Sequence, residues 1–276
     1  MKVMALKTEL IHLTPILASL IIGVSCTFLI LTSPIEIYSV TPFPENVAGS
    51  LGNAFYFVIL VGVGASLLYL LLKWRSHRLI NAITGFALTI AIFMLSIVYT
   101  FSAFSRFNIP YVEVLILTLA TLITVLADVT IFRIQNSLSD VIVLFLGGAL
   151  GAFLGVSIPP LSTVLILVAL AVYDAFAVYY GPLGKIAHSG LDQFRGLSFS
   201  FKDIQMGLGD LTFYSMLSGH MLIFSGFIPC LASIIGISLG CLLAFKMLKK
   251  RGMFPGLPFP IFFGLALGLL TSFIQF

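Results

Sequence analysis

The sequence predicts an all-α, polytopic membrane protein. Nine transmembrane helices form one membrane domain over residues 1–276, with the N-terminus cytoplasmic and the C-terminus outside. Three observations predict this. The chain is 60% hydrophobic and 9% charged, with a mean hydropathy of +1.17, whereas soluble domains carry about 25% charged residues. Apolar runs near the ~20 residues that a spanning helix needs recur from end to end. The Lys and Arg residues gather in the short polar breaks on one side.

The spans follow in order. The first covers 10–32; it trails Lys2 and Lys7 as a secretory signal would, but its apolar run to Leu31 exceeds the ~7–15 residues of a cleaved signal core, so it is a retained span. After "SPIEIYSVTPFPENVAGS" comes 51–72, after "KWRSHR" 79–104, after "SRFNIP" 111–132, after "RIQNSLSD" 141–158, and after "IPP" 161–181. A polar loop over 182–203 then separates helices 1–6 from helices 7–9 at 204–226, 228–248 and 255–274, which are divided by "GFIP" and "LKKRGMF". With a cytoplasmic N-terminus, Lys2, Lys7, Lys73, Arg75, Arg78, Arg133, Lys185, Arg195, Lys202, Lys246, Lys249, Lys250 and Arg251 all lie inside. Arg106 alone lies outside, with Glu36 and Glu45. This bias sets the orientation, and adding or removing one span scrambles it. It also accounts for 14 Lys and Arg against 10 Asp and Glu with the lipid bilayer as partner and no nucleic acid.

Gly147, Gly151 and Gly155 in "GGALGAFLG" lie four apart, as do Gly236/Gly240 and Gly264/Gly268, leaving bare helix faces for close packing. Cys26, Cys230 and Cys241 are scattered through apolar stretches without metal-ligand spacing, and read as small buried hydrophobes. No metal and no cofactor is expected.

Four acids fall inside spans: Glu113, Asp128, Asp174 and Asp210. Each costs about 2.5–3.5 kcal/mol near the bilayer centre, which makes it a functional candidate. Glu113 follows Pro110 by three residues, near the outer interface and within reach of water. Asp128 lies near the inner end of its span, where pairing with Arg133 accounts for it. Asp174 lies ~20 Å along the sixth span from its outer start, and Asp210 ~9 Å along the seventh from its inner start. In a core ~30 Å thick both acids sit about 10 Å from the inner edge, on consecutive antiparallel helices that pack about 8–10 Å apart. No Lys or Arg lies at that depth. Two such carboxylates either find separate Tyr or backbone partners or share one proton. A sharing pair can do aspartic-protease chemistry: the carboxylate activates water and its protonated partner donates to a peptide carbonyl.

Around Asp210, Gly207 and Gly209 flank Leu208 in "GLGD" and remove side chains where backbone must approach backbone. Such loosened backbone is tolerated in a bilayer only beside protein or a water cavity. Tyr173, just before Asp174, offers either a hydroxyl in the same layer or an interfacial aromatic.

Tyr173-Asp174 in one span, Gly207-Leu208-Gly209-Asp210 in the next and Pro255-Gly256-Leu257 at the start of the last together resemble the presenilin and signal peptide peptidase family of intramembrane aspartyl proteases, in a short, archaeal-type form. The family's third motif is Pro-Ala-Leu, and Gly256 departs from it. The resemblance implies that Asp174 and Asp210 are the catalytic pair. It also implies that Tyr173, Gly207, Leu208, Gly209, Pro255, Gly256 and Leu257 support the site or bind substrate. The implied reaction is hydrolysis of peptide bonds within the membrane helices of transmembrane or signal-peptide-like substrates, in the cell membrane, with no obligatory partner subunit. Presenilins keep the N-terminus in the cytoplasm and signal peptide peptidases are inverted. The charge bias matches the presenilin direction, so substrates with external N-termini are expected. The short 182–203 loop lacks the insertion that presenilins process, so activity is expected of the intact chain.

A substrate helix must be unwound before it is cut. "LSFSF" over Leu197–Phe201 alternates at period two, as a strand does. It reads either as an edge for an extended substrate or as an interfacial segment dipping Phe199 and Phe201 into lipid.

Other readings differ in specific residues. No HExxH occurs for a zinc protease. Ser218 and His220 lie two apart on a helix and face different ways, against a serine dyad. Prepilin and preflagellin peptidases share GxGD but place the other Asp elsewhere. An ion-coupled transporter relaying through Asp128, Asp174 and Asp210 is the alternative outside the proteases, although no internal repeat accompanies it.

Overall fold

A computed structural model describes residues 11–34, 38–74, 77–107, 109–134, 137–180, 198–201, 204–251 and 253–274. Outside the described residues lie Lys2, Lys7, Glu36, Arg75, Lys202 and most of the expected 182–203 loop, with Lys185 and Arg195.

The described residues are nearly all helical. In chain order they form α1 (Thr14–Leu31), α2 (Val47–Lys73), α3 (His77–Phe104), α4 (Val112–Val129) continued by a π-helical turn (Thr130–Ile134), α5 (Ser137–Ser157) and α6 (Pro160–Tyr179). Strands β1 (Ser198–Phe201) and β2 (Ile204–Gly207) follow, then α7 (Leu208–Phe224), α8 (Phe227–Arg251) and α9 (Pro258–Ile274). Among the described residues seven helices, α1–α6 and α8, are long and apolar enough to cross a bilayer. The chain is an integral membrane protein.

The two remaining helices correct the expected spans 204–226 and 255–274. Both α7 and α9 have 17 residues, or ~25 Å, short of a core of ~30 Å. Each gives up its first turn to non-helical backbone, for an identifiable reason. Ile204–Gly207 pairs antiparallel with Ser198–Phe201, in the register Ser198↔Gly207, Phe199↔Met206, Ser200↔Gln205 and Phe201↔Ile204. The alternation in "SFSF" is therefore a strand. Before α9, Pro255 and Pro258 disfavour helical dihedrals at the residue preceding each, so residues 254–257 stay non-helical and Pro258 opens the helix at its first position.

Helix α7 is the centre of the molecule. Every residue from Tyr214 to Met221 is buried, and the helix packs against α5, α1 and α8, with α6 and α9 also in contact. Small residues make the approach possible. A Cβ on Gly151 of α5 would lie 2.6 Å from the Ser215 Cβ and 2.8 Å from the Met216 nitrogen, and one on Gly155 would lie 2.6 Å from the Met216 carbonyl oxygen. Gly236 and Gly264 bring α8 and α9 together in the same way: a Cβ on Gly236 would lie 2.9 Å from the Gly264 Cα. Helices α3 and α4 form a further pair, and α2 lies along α6.

The N-terminal ends of α2 and α6 are tied by a polar cluster. Asn53 Nδ2 donates to Ser162 Oγ (3.0 Å) and to the Phe43 carbonyl (3.1 Å), and its Oδ1 accepts the Phe43 N–H (3.0 Å). Ser162 in turn donates to Ser50 Oγ at 3.1 Å. Asn53, Ser50 and Ser162 are fully buried. Replacing Asn53 by Ala strands several buried groups, each worth about 1–3 kcal/mol. A lower thermal unfolding midpoint in detergent is the expected result.

Candidate active site

Asp174 lies in the last turns of α6 and Asp210 is the third residue of α7. Helices α6, α7 and α9 touch one another, and the two acids meet at the non-helical segment before α9. The Leu257 N–H donates to Asp174 Oδ2 at 2.9 Å, and the Gly256 N–H also reaches this carboxylate. Asp210 rests against Gly256: a Cβ there would lie 2.8 Å from Asp210 Oδ2 and 3.1 Å from its Cγ. Both carboxyl groups thus lie against the Gly256–Leu257 segment, and the lack of a Cβ at 256 is what lets Asp210 come this close. Both acids are half-buried.

Local geometry explains why Asp210 points here. Gly207 is the N-cap of α7, with extended dihedrals (φ −77°, ψ 146°) and no side chain to cap with. Asp210, three residues on, turns its carboxyl back towards the Gly207 N–H instead. This is the back-reaching half of a capping box, and it places a carboxyl at the positive end of the helix. Leu208 is buried, and its carbonyl accepts Thr212 Oγ1 at 2.9 Å.

The expectation that Gly207 and Gly209 admit a second backbone is corrected. Among the described residues, a Cβ on Gly207 would come no nearer than 3.9 Å to another atom, the Gly209 nitrogen, and one on Gly209 would meet only Phe213, also at 3.9 Å. The glycines leave open space beside Asp210 instead of a tight contact. Close approach occurs at Gly256. Pro255 and Leu257 on either side of it are buried.

Tyr173 turns towards α2: a Cβ on Gly62 would meet its hydroxyl at 3.4 Å. It lines an apolar cleft of about 540 Å³ between Leu51, Ala54, Phe55 and Val58 of α2 and the face of α6 that runs from Leu165 to Phe176.

The other acids separate from this pair. Glu113 is exposed in the first turn of α4. Asp128 does not pair with Arg133 and turns to α3 instead. Its Oδ2 accepts Thr89 Oγ1 of α3 at 2.8 Å, while its Oδ1 is buried with no hydrogen-bond partner. The His220 Nδ1 faces the Gly155 carbonyl at 3.1 Å and Ser218 donates to the Ser215 carbonyl at 3.1 Å, so neither serves the other. Among the described residues no group of three His, Cys, Asp or Glu side chains converges as a metal site.

Sequence reasoning missed Tyr214. It follows Asp210 by four residues, a spacing that shares one helix face. It is 2% exposed, and its hydroxyl donates to the Gly256 carbonyl at 2.8 Å.

These features define a helical membrane protein whose fold brings two carboxyl groups to one non-helical segment. Solved structures with that fold exist. A presenilin family intramembrane aspartate protease in space group C222 is similar over 96% of this chain and 99% of its own, with a TM-score of 0.69 and 19% identity. A presenilin family intramembrane aspartate protease in space group P2 gives a TM-score of 0.65 and 22% identity over 95% and 96% of the two chains. The chain has the presenilin-family protease fold. No family model and no curated protein matches it.

Proposed function

We propose that this protein is an intramembrane aspartyl endopeptidase of the cell membrane, with Asp174 and Asp210 as the catalytic pair. The observation that carries this reading is the convergence of both carboxyl groups on Gly256–Leu257. Asp174, whose Oδ2 already accepts an N–H, acts as the carboxylate and takes a proton from the attacking water. Asp210 carries the shared proton and gives it to the substrate carbonyl oxygen, forming a tetrahedral diol. A proton then passes to the leaving nitrogen, the C–N bond breaks, and a new carboxyl and a new amine terminus result.

The topology that goes with this reading has α7 and α9 completing nine spans, with the N-terminus cytoplasmic. Substrates are then single-span proteins or signal-peptide-like helices with external N-termini. The apolar α2–α6 cleft, reaching Tyr173 beside Asp174, suits side chains of an incoming apolar helix. No partner subunit is needed for the chemistry.

The β1–β2 hairpin leads directly into the GLGD segment. A strand edge there gives an unwound substrate main-chain partners that its lost helix no longer supplies. Ser200→Pro removes one donor from β1. It is expected to slow cleavage of a full transmembrane helix about tenfold, near the worth of one net hydrogen bond, while short extended peptides are cut as before. Equal slowing of both substrates contradicts a role in holding the unwound chain.

The test of the main proposal is cleavage of a quenched transmembrane peptide by the purified protein in detergent, with Asp174→Ala and Asp210→Ala compared with wild type. Cleavage lost in both variants, and blocked by aspartyl transition-state inhibitors, supports the proposal. Undiminished cleavage in both variants ends it.

A further inference from the structure

The Gly256 carbonyl and the Leu257 N–H belong to one peptide group, which is planar. Tyr214 donates to its oxygen at 2.8 Å, and its N–H donates to Asp174 Oδ2 at 2.9 Å. The hydroxyl, the peptide and the carboxylate therefore form one hydrogen-bonded chain, in which each bond polarises the next. The same residue, Gly256, is where Asp210 rests. Behind the tyrosine, Cys241 of α8 is 1% exposed and its thiol lies beside the Tyr214 hydroxyl. The arrangement reaches from α8 through α7 to both acids.

Glycine is the residue whose backbone turns most freely. With glycine at 256, the chain's own dihedral preferences hold the 256–257 peptide less firmly than any other residue would, and something else must fix its plane. The Tyr214 hydroxyl is the side-chain group seen on that carbonyl. We propose that Tyr214 is a positioning residue for the Asp174–Asp210 pair: it locks the 256–257 peptide so that the Leu257 N–H faces Asp174 and the bare Cα of Gly256 faces Asp210. This inference rests on the protease reading above.

The experiment compares wild type, Tyr214→Phe, Asp174→Asn and Asp210→Asn in the quenched transmembrane-peptide assay, together with each protein's affinity for a hydroxyl-bearing transition-state isostere and its thermal unfolding midpoint. Tyr214→Phe keeps the buried ring and removes only the hydroxyl. The expected result is a kcat lower by about 100-fold, the cost of misplacing a catalytic group by about 1 Å. KM should be unchanged, and isostere affinity should fall by the same factor as kcat, as expected for a loss confined to the transition state. A merely structural tyrosine would lower the unfolding midpoint and leave kcat of the folded fraction unchanged. Wild-type kcat in Tyr214→Phe with both Asp variants inactive overturns this inference and leaves the protease reading standing. Activity retained in the Asp variants overturns the protease reading itself. If Tyr214→Phe fails to fold, Tyr214→Met, which also lacks the hydroxyl, carries the same test: a lower kcat at constant KM in the folded protein supports the lock, and a wild-type kcat overturns it.

Discussion

Asp210→Asn and Asp174→Asn are each expected to abolish cleavage, by about 10⁴-fold or more, without unfolding the protein. Asparagine keeps the shape of the side chain and one carbonyl oxygen. At 174 that oxygen can still accept the Leu257 N–H, and at 210 it can still face the Gly207 N–H. What disappears is the ability to share a proton. With Asn at 174 no carboxylate remains there to take the water proton. With Asn at 210 no acidic hydrogen meets the developing oxyanion. The two losses do not add, because the pair works as a unit; the double variant should be as inactive as either single one. Removing an intramembrane acid also removes a group that is costly to hold in the bilayer, so the unfolding midpoint should stay level or rise. Cleavage of the quenched peptide and a thermal scan in detergent read both halves of this expectation.

The largest effect on stability is expected from Gly151→Leu. Even the first added carbon would sit 2.6 Å from the Ser215 Cβ and 2.8 Å from the Met216 nitrogen of α7. Much of what it meets is backbone, which no rotamer change can move aside. Helices α5 and α7 would have to separate, opening the most buried part of the molecule. Overpacking a well-packed core costs about 1–3 kcal/mol where side chains can adjust, and more is expected here. The control is Gly64→Leu on α2, where an added Cβ meets nothing within 4 Å. Its unfolding midpoint should match wild type. Comparable losses in both variants would mean that the α5–α7 contact is not what holds the bundle.

Apolar run length was enough to place the long helices within a few residues, because a run that must cross lipid has little freedom in where it can end. It was misleading at α7 and α9, where Ile204–Gly207 and Pro255–Leu257 run on into the apolar helices that follow yet are not helical. Hydropathy does not distinguish a helical turn from a strand, and the prolines at 255 and 258 and the alternation in "SFSF" were the local cues that did. The glycine ladder on α5 was legible because spacing by four defines a helix face. The roles of Gly207 and Gly256 were not, since which glycine is pressed against a neighbour depends on how α7 and α9 meet. Tyr214 was missed for a related reason. Its spacing from Asp210 was visible, but its partner is a carbonyl 42 residues away, and a main-chain acceptor leaves no trace in residue identity. Asp128 is expected beside Arg133 from proximity in the chain, but its partner is Thr89, a hydroxyl on another helix that the local sequence does not reveal.

The central claim is that Asp174 and Asp210 act on one reacting centre beside the Gly256–Leu257 peptide. The most direct test is an experimental structure of the protein with a hydroxyl-bearing aspartyl transition-state isostere bound. The account predicts the inhibitor hydroxyl within hydrogen-bond reach, about 2.6–3.2 Å, of both carboxyl groups at once, with the Leu257 N–H still on Asp174. An inhibitor bound elsewhere, or a hydroxyl reaching only one acid with packed side chains between the two, would contradict it.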